Sequence, residues 1–281
     1  MRFRHGTIEE MKRSHHAHLH HVAISYPVSF RERIYAIVLG PLIIVGLMGL
    51  AFYFYPDLAP TGQSLPLSTI FLATAYTAFR LFIAYVCAVV VAVPLAILVT
   101  YSTKVEKVLL PVFDVLQSIP ILALFPVVIM LFIRFNDLNG AAIFILFLSM
   151  LWSIVFTLVG GLQLIPHDIS DAARIFGLRG FSYVRGLILP ALVPQFVTGS
   201  ILAVASGWNI TIVAEVLHTY IPGGTSAQDL FGVGSILVSA AAHAQNATFL
   251  GAVFAMVVVI AAFNFFVWQK LLHYSQRFRF E

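Results

Sequence analysis

Few side chains in this sequence could carry chemistry, and their types exclude most kinds of it. The one cysteine, Cys87, lies in an apolar run, so neither a disulfide framework nor a Cys-based metal site can be built. No Gly-x-x-x-x-Gly-Lys-Ser/Thr loop is present to cradle nucleotide phosphates, no His-Glu-x-x-His pair to hold zinc, and no Gly-x-Ser-x-Gly nucleophile elbow. His15, His16, His18, His20 and His21 cluster near the start. They are read as part of a solvated polar tail rather than a metal-binding tract, and no metal site is expected. What remains is a set of polar residues inside apolar stretches: Arg80, Gln117 and Ser118 beside Pro120, and then Trp208, Asn209, Thr211 and Glu215.

A polar or charged side chain within a membrane segment is costly unless it meets water, a partner or an interface. Two readings therefore stand for each of these residues. Arg80 either helps an anionic solute along a path, or it snorkels to an interface or pairs with Glu215. Gln117, Ser118, Asn209 and Thr211 either line a wet path or make helix–helix hydrogen bonds. The latter reading is helped by the small residues Gly199, Ser200, Ala203, Ser206 and Gly207, which allow close packing. Trp208 is read first as a packing aromatic.

The elements that must position these residues follow from composition. The 281-residue chain is 60% hydrophobic and only 10% charged, whereas about a quarter of a typical soluble chain is charged. That makes it an all-α integral membrane protein, with six apolar segments near residues 34–55, 73–100, 112–133, 141–164, 191–214 and 248–269, each matching the ~20 residues a spanning helix needs. Pro120 and Pro126 predict a kink or break in the third. Domain limits follow: a polar tail over 1–33, a six-helix domain over 34–272, a polar loop at 166–190 within it, and a C-terminal tail over 273–281. The first 33 residues carry charge and histidine rather than the apolar core of a signal peptide.

Charge fixes the expected orientation. With the tail inside, fourteen of the sixteen Lys and Arg residues fall on the cytoplasmic side, and only Arg80 and Arg134 lie elsewhere. Both termini are then cytoplasmic. This distribution, hugging membrane segments, explains the net charge of +4 without nucleic acid. On the outer side, Leu230–His243 is expected to form a helix lying in or dipping into the outer face.

The loop at 166–190 carries the strongest pattern: Asp171-Ala172-Ala173, three residues, Gly177, nine residues, Leu187, one more, then Leu189-Pro190. Asp168 is a suitable N-cap, and Asp171 adds negative charge near a positive helix end. On a helix from Ile169, the residues Ile169, Ala172, Ala173 and Phe176 share a face. Gly177 and Gly180 then break it, and Pro190 opens the next helix. The product is a helix-turn-helix at the membrane surface.

This spacing resembles the "EAA" loop of binding-protein-dependent ABC importer permeases, with Asp171 where Glu is usual and Leu187 where Ile is usual. The likeness extends over most of residues 70–270, through Ala78–Leu81, Val93–Leu95, Pro111–Pro126 with Gln117-Ser118-Ile119-Pro120, and Gly207–Glu215. These stretches are similar to permeases of the nitrate, sulfonate and taurine type, including a subgroup of anion permeases with two units fused in one polypeptide, of which this chain would be one unit. The resemblance implies the MetI-like permease fold and a prokaryotic cytoplasmic membrane. It implies a non-enzymatic chain that holds no cofactor, with ATP and Mg on separate ABC ATPase subunits. It also implies a second permease unit and an extracytoplasmic substrate-binding protein. Asp171, Ala172, Ala173, Gly177, Leu187 and Pro190 would couple to the ATPase, the alanines packing in its groove. The solute implied is small and anionic, such as nitrate, a sulfonate, taurine or bicarbonate, moved by alternating access. A secondary transporter or channel that needs no ATP is the competing reading, and it leaves the loop spacing unexplained.

Overall fold

The computed structural model describes residues 65–100 and 103–278, with isolated helical positions at Ile43, Gly46 and Leu50. The tail over 1–33, most of the first expected span and the last three residues lie outside the described residues. Among the described residues every regular element is helical.

Helix α1 (Leu67–Thr100) is followed by α2 (Thr103–Ser118), α3 (Ile121–Ile133) and α4 (Leu138–Gln163). After the short α5 (His167–Ile175) come the long α6 (Leu189–Glu215), α7 (Val233–Ala242), α8 (Asn246–Phe263) and α9 (Gln269–Ser275). Four helical runs are long and apolar enough to cross a membrane: Leu67–Thr100, Leu138–Gln163, Phe181–Glu215 and Asn246–Phe278. The pair α2–α3 makes a fifth if counted as one span, bent by 85° at its break.

That break is the one expected within the third span. It falls at Pro120, which lacks an N–H and disfavours helical geometry at Ile119. Pro126 is carried inside α3 without ending it. Helix α2 also begins at Thr103 rather than near 112, because Lys104, Glu106 and Lys107 occupy its first turns. At the other end, α4 is capped by Asp137, whose carboxylate accepts the Gly140 N–H at 2.8 Å.

The core is made where α4 packs against both α1 and α6. Helix α1 offers Ala84, Ala88, Ala92 and Ala96, one per turn and all fully buried, so that neighbours approach closely. The expected small residues of α6 do the same: Gly199, Ser200, Ala203 and Gly207 are buried. A Cβ on Gly199 would lie 3.1 Å from Thr157 Cβ and 3.4 Å from Ile154 Cα, so the α4 backbone itself sits against this glycine. Tyr85 of α1 adds a polar tie, its hydroxyl donating to Ser200 Oγ at 2.7 Å.

Two five-residue π turns interrupt the α geometry, at Val184–Ile188 before α6 and at Asn264–Trp268 between α8 and α9. In each the next N–H reaches back five residues, Leu189 to the Val184 carbonyl and Gln269 to that of Asn264. The C-terminal run remains helical through Phe278, past the expected limit at 272.

Candidate functional site

The loop at 166–190 builds its shape from local rules. Helix α5 starts directly after Pro166, where a missing N–H costs nothing. Asp168 is therefore a first-turn residue and not the expected N-cap; no side chain caps this end. Asp168 near the start and Arg174 in the last turn both suit the helix dipole. The helix ends in a Schellman motif: the Gly177 N–H donates to Arg174 O and the Leu178 N–H to Ala173 O, both at 3.0 Å. Gly177 has φ +83°, which only glycine adopts without strain, and Gly180 follows at φ +54°. The Ser182 hydroxyl donates to Arg179 O at 2.7 Å, closing the turn into Phe181–Tyr183.

The face this loop presents differs from expectation. Ala172 is exposed, but Ala173 is only 8% exposed and covered by the chain itself. The two alanines therefore do not share one outward surface. What points away is Ile175 and Phe176, each 84% exposed, and Phe181 at 77%. Asp171 and Gly177 are exposed, while Leu187, within the π turn, and Pro190, at the start of α6, are half-buried and root the loop in the span. Beneath the loop lies a cavity of about 920 Å³, lined by Glu106 of α2, Gln163 of α4, and Ser170, Arg174, Arg179 and Tyr183. The Gln163 amide donates to Glu106 Oε1 at 2.7 Å, joining the starts and ends of these elements on one side of the molecule.

A second polar centre sits where α1, α6 and α7 meet. Arg80 Nη1 donates to Glu215 Oε1 at 2.8 Å, its Nη2 to the Phe231 carbonyl at 2.8 Å, and its Nε to Asn139 Oδ1 at 3.0 Å. Glu215 also accepts the Thr77 hydroxyl at 2.6 Å and the Gly234 N–H at 2.7 Å, and Thr77 Oγ1 accepts the Val233 N–H at 3.0 Å. The carboxylate thus serves the unsatisfied N–H groups at the start of α7. Gly232 and Gly234 make room, since a Cβ at either would meet the Glu215 carboxylate. Arg80 is 7% exposed and Glu215 1%, so both are enclosed, and Arg80 takes the ion-paired arrangement. Asn139, Thr77 and the Phe231 carbonyl are partners the sequence does not single out. The helix expected within Leu230–His243 exists, as Val233–Ala242, and this cluster holds its first turn.

The remaining expected site residues separate. Thr211 is buried and donates to its own helix at Gly207 O (2.9 Å); Trp208 is half-buried between the main core and a smaller apolar cluster that includes Ile70, Ala73, Val233 and Ala252; Asn209 is exposed. Gln117 and Ser118 are exposed at the end of α2, with Gln117 Nε2 donating to Asp114 Oδ1 at 2.8 Å and the Ser118 hydroxyl to Asp114 O at 2.7 Å. Asp114 is the residue missed here, although an acid in Pro-Val-Phe-Asp-Val-Leu is visible by eye. Among the described residues no group of three or more His, Cys, Asp or Glu could hold a metal.

Residues 88–279 match the family described as "Binding-protein-dependent transport system inner membrane component". The chain belongs to that family. The match takes in the whole loop at 166–190 and Glu215, while Arg80 lies just ahead of it. Among relatives, the chain is 32% identical to the nitrate import permease protein NrtB of Leptolyngbya laminosa over 156 residues, 56% of this chain and 55% of that protein. It is 29% identical to the bicarbonate transport system permease protein CmpB of Synechococcus elongatus over 136 residues, 48% of each. It is 23% identical to the taurine transport system permease protein TauC of Escherichia coli over 138 residues, 49% of each. The chain spans about half the length of the curated relatives it matches. It is a multi-pass inner-membrane permease component of the ABC importer type, a non-enzymatic role.

Proposed function

We propose that this chain is the permease of an ATP-driven importer, moving a small solute with an anionic group by alternating access. A separate ABC ATPase would dock on the loop around Asp171–Gly177. The observation that carries this reading is the outward surface of that loop. Ala172, Ile175 and Phe176 are exposed on or beside a rigidly ended helix, and large apolar side chains at a polar membrane surface call for a protein partner. ATP-driven closure of the ATPase would push α5, and Leu187 and Pro190 would pass that movement to α6.

Orientation and assembly belong to the same proposal. Lys104 and Lys107 begin α2, and Glu106 of that helix lines one cavity with Arg174 and Arg179 of the loop. These basic residues mark the end of the molecule that we assign to the cytoplasm, and the basic residues of both tails in the sequence assign the termini to the same side. Two such units with two ATPase subunits, fed by an extracytoplasmic substrate-binding protein, would form the working importer. The relatives named for nitrate, bicarbonate and taurine supply the anionic solute class.

The test is purification of the native complex in mild detergent, with identification of what co-purifies and an ATPase assay. A Walker-motif ATPase that copurifies, and is lost on Phe176→Asp, is the expected result. A chain that purifies alone and moves solute into liposomes without ATP would replace this reading with a secondary transporter or channel.

A further inference from the structure

The bent pair α2–α3 carries a feature that the importer reading does not use. Asp114 is an exposed carboxylate, and its depth can be worked out from its neighbours. At one end of α2, Glu106 bonds to Gln163 at the last residue of α4. Further along, Phe113 packs against Trp152 of α4, with ring centroids 5.6 Å apart. From Gln163 to Trp152 is about 16 Å along a helix that rises 1.5 Å per residue. That is about half the ~30 Å hydrocarbon thickness. Asp114, next to Phe113, therefore lies near mid-depth.

A carboxylate at that depth does not face lipid unless something offsets its charge. Among the described residues no cation is ion-paired with Asp114. Its side-chain partner is the neutral amide of Gln117. Asp114, Gln117 and Ser118 all lie on the exposed side of α2, immediately before the break at Pro120 where a helix ends inside the membrane. Broken helices of this kind are tolerated where they border a water-filled cavity. Arg80, the cation within α1, has all three nitrogens engaged by Glu215, Phe231 and Asn139.

We propose that Asp114, with Gln117 and Ser118, forms a cation-attracting, water-exposed site at mid-depth of the translocation path, and that the transported solute carries a protonated nitrogen beside its anionic group. At this depth a bare oxyanion would meet a carboxylate, while the exposed cation on the same face of α2, Lys107, stands two turns or about 10 Å away. An amino-sulfonate or similar zwitterion would place its ammonium on Asp114 and accept a hydrogen bond from the Gln117 amide. This refinement rests on the permease reading above and narrows its substrate class.

The test uses the complete importer in membranes, with Cys87→Ser and Ser118→Cys making position 118 the one thiol of this chain. Rates of modification by a cationic and an anionic methanethiosulfonate are compared, each divided by its rate with a free small thiol, with both membrane faces accessible. The cationic reagent should be favoured roughly tenfold or more, as expected for a unit charge one side chain away at a partly wet site. Asp114→Asn should bring the ratio close to one, and Asp114→Glu should keep it. A thiol that reacts with neither reagent, a ratio near one with Asp114 present, or a ratio that survives Asp114→Asn would overturn the proposal. In uptake assays, labelled taurine should enter and fall at least tenfold in Asp114→Asn; nitrate or bicarbonate uptake indifferent to that change would also overturn it. Copurification of the ATPase is unaffected by either outcome, so the importer assignment stands or falls separately.

Discussion

Removing one partner of the Arg80–Glu215 pair should destabilise the protein far more than removing both. In Glu215→Leu, the guanidinium loses its carboxylate while remaining enclosed, and the Thr77 hydroxyl and Gly234 N–H lose an acceptor. Stranding a buried charge in this way costs about 3–5 kcal/mol. At ~2–4 °C per kcal/mol for a chain of this size, the melting temperature in detergent should fall by roughly 6–20 °C. Arg80→Met alone should cost less, because Thr77 and Gly234 still satisfy part of the carboxylate. The double variant Arg80→Met with Glu215→Leu removes both charges and should recover most of the loss of the worse single variant, as apolar replacements of buried pairs do. The assay is thermal unfolding of the purified complex followed by size-exclusion chromatography, run on wild type, both singles and the double as a cycle. Additive losses, or a Glu215→Leu variant that melts with wild type, would refute the claim that this pair is a coupled structural tie.

Three further outcomes follow from the same geometry. Arg80→Met, in complexes that remain folded, should reduce the amount of working transporter and leave the KM for uptake unchanged; a KM raised tenfold would return Arg80 to the solute path. Gly234→Ala should destabilise at least as much as Arg80→Met, since its Cβ would sit 2.8 Å from Ile212 Cα and 3.1 Å from Thr211 O. A melting temperature within a degree of wild type would show that α7 can move aside. Gly177→Val should uncouple ATP hydrolysis from uptake while insertion is preserved: nothing lies within 4 Å of its Cβ, so the strain comes from φ alone, on the order of 1–2 kcal/mol. Gly177→Asn, which tolerates that backbone region better, should retain most coupling, and equal behaviour of the two variants would contradict the backbone argument.

What the sequence made legible was local. The Schellman turn at Gly177 could be anticipated because glycine placement after a short amphipathic run is a property of neighbouring residues. The break at Pro120 was visible for the same reason, but the true start of α2 was not. Lys104, Glu106 and Lys107 lower the hydropathy of helical turns that continue without interruption into the apolar segment. The two adjacent alanines of the loop look alike in sequence; only the phase of α5 against the chain decides that Ala173 is covered and Ala172 is not. Arg80 could be matched with Glu215 as the opposite charge in an apolar context. Its other partners, Asn139 and the backbone carbonyl of Phe231, are 59 and 151 residues away, and a carbonyl leaves no mark in a sequence. Asp114 stands between Phe113 and Val115 with no basic residue beside it, so the adjacent sequence marks it less clearly than the proline marks Gln117 and Ser118.

The π turn at Val184–Ile188 has a bearing on how this permease can vary in length. Such a turn holds one residue more than an α turn, so a deletion there can be absorbed by closing the ladder to ordinary α geometry. The fold would survive with α5 keeping nearly its present direction, because the π turn itself takes up the change. A deletion in the uninterrupted α turns of α6 would instead swing the loop by about 100° and ~1.5 Å, and Ile175 and Phe176 would aim elsewhere. The π turn is thus a length buffer: the stretch between Gly177 and Leu187 can lose a residue there without turning the exposed face of the loop.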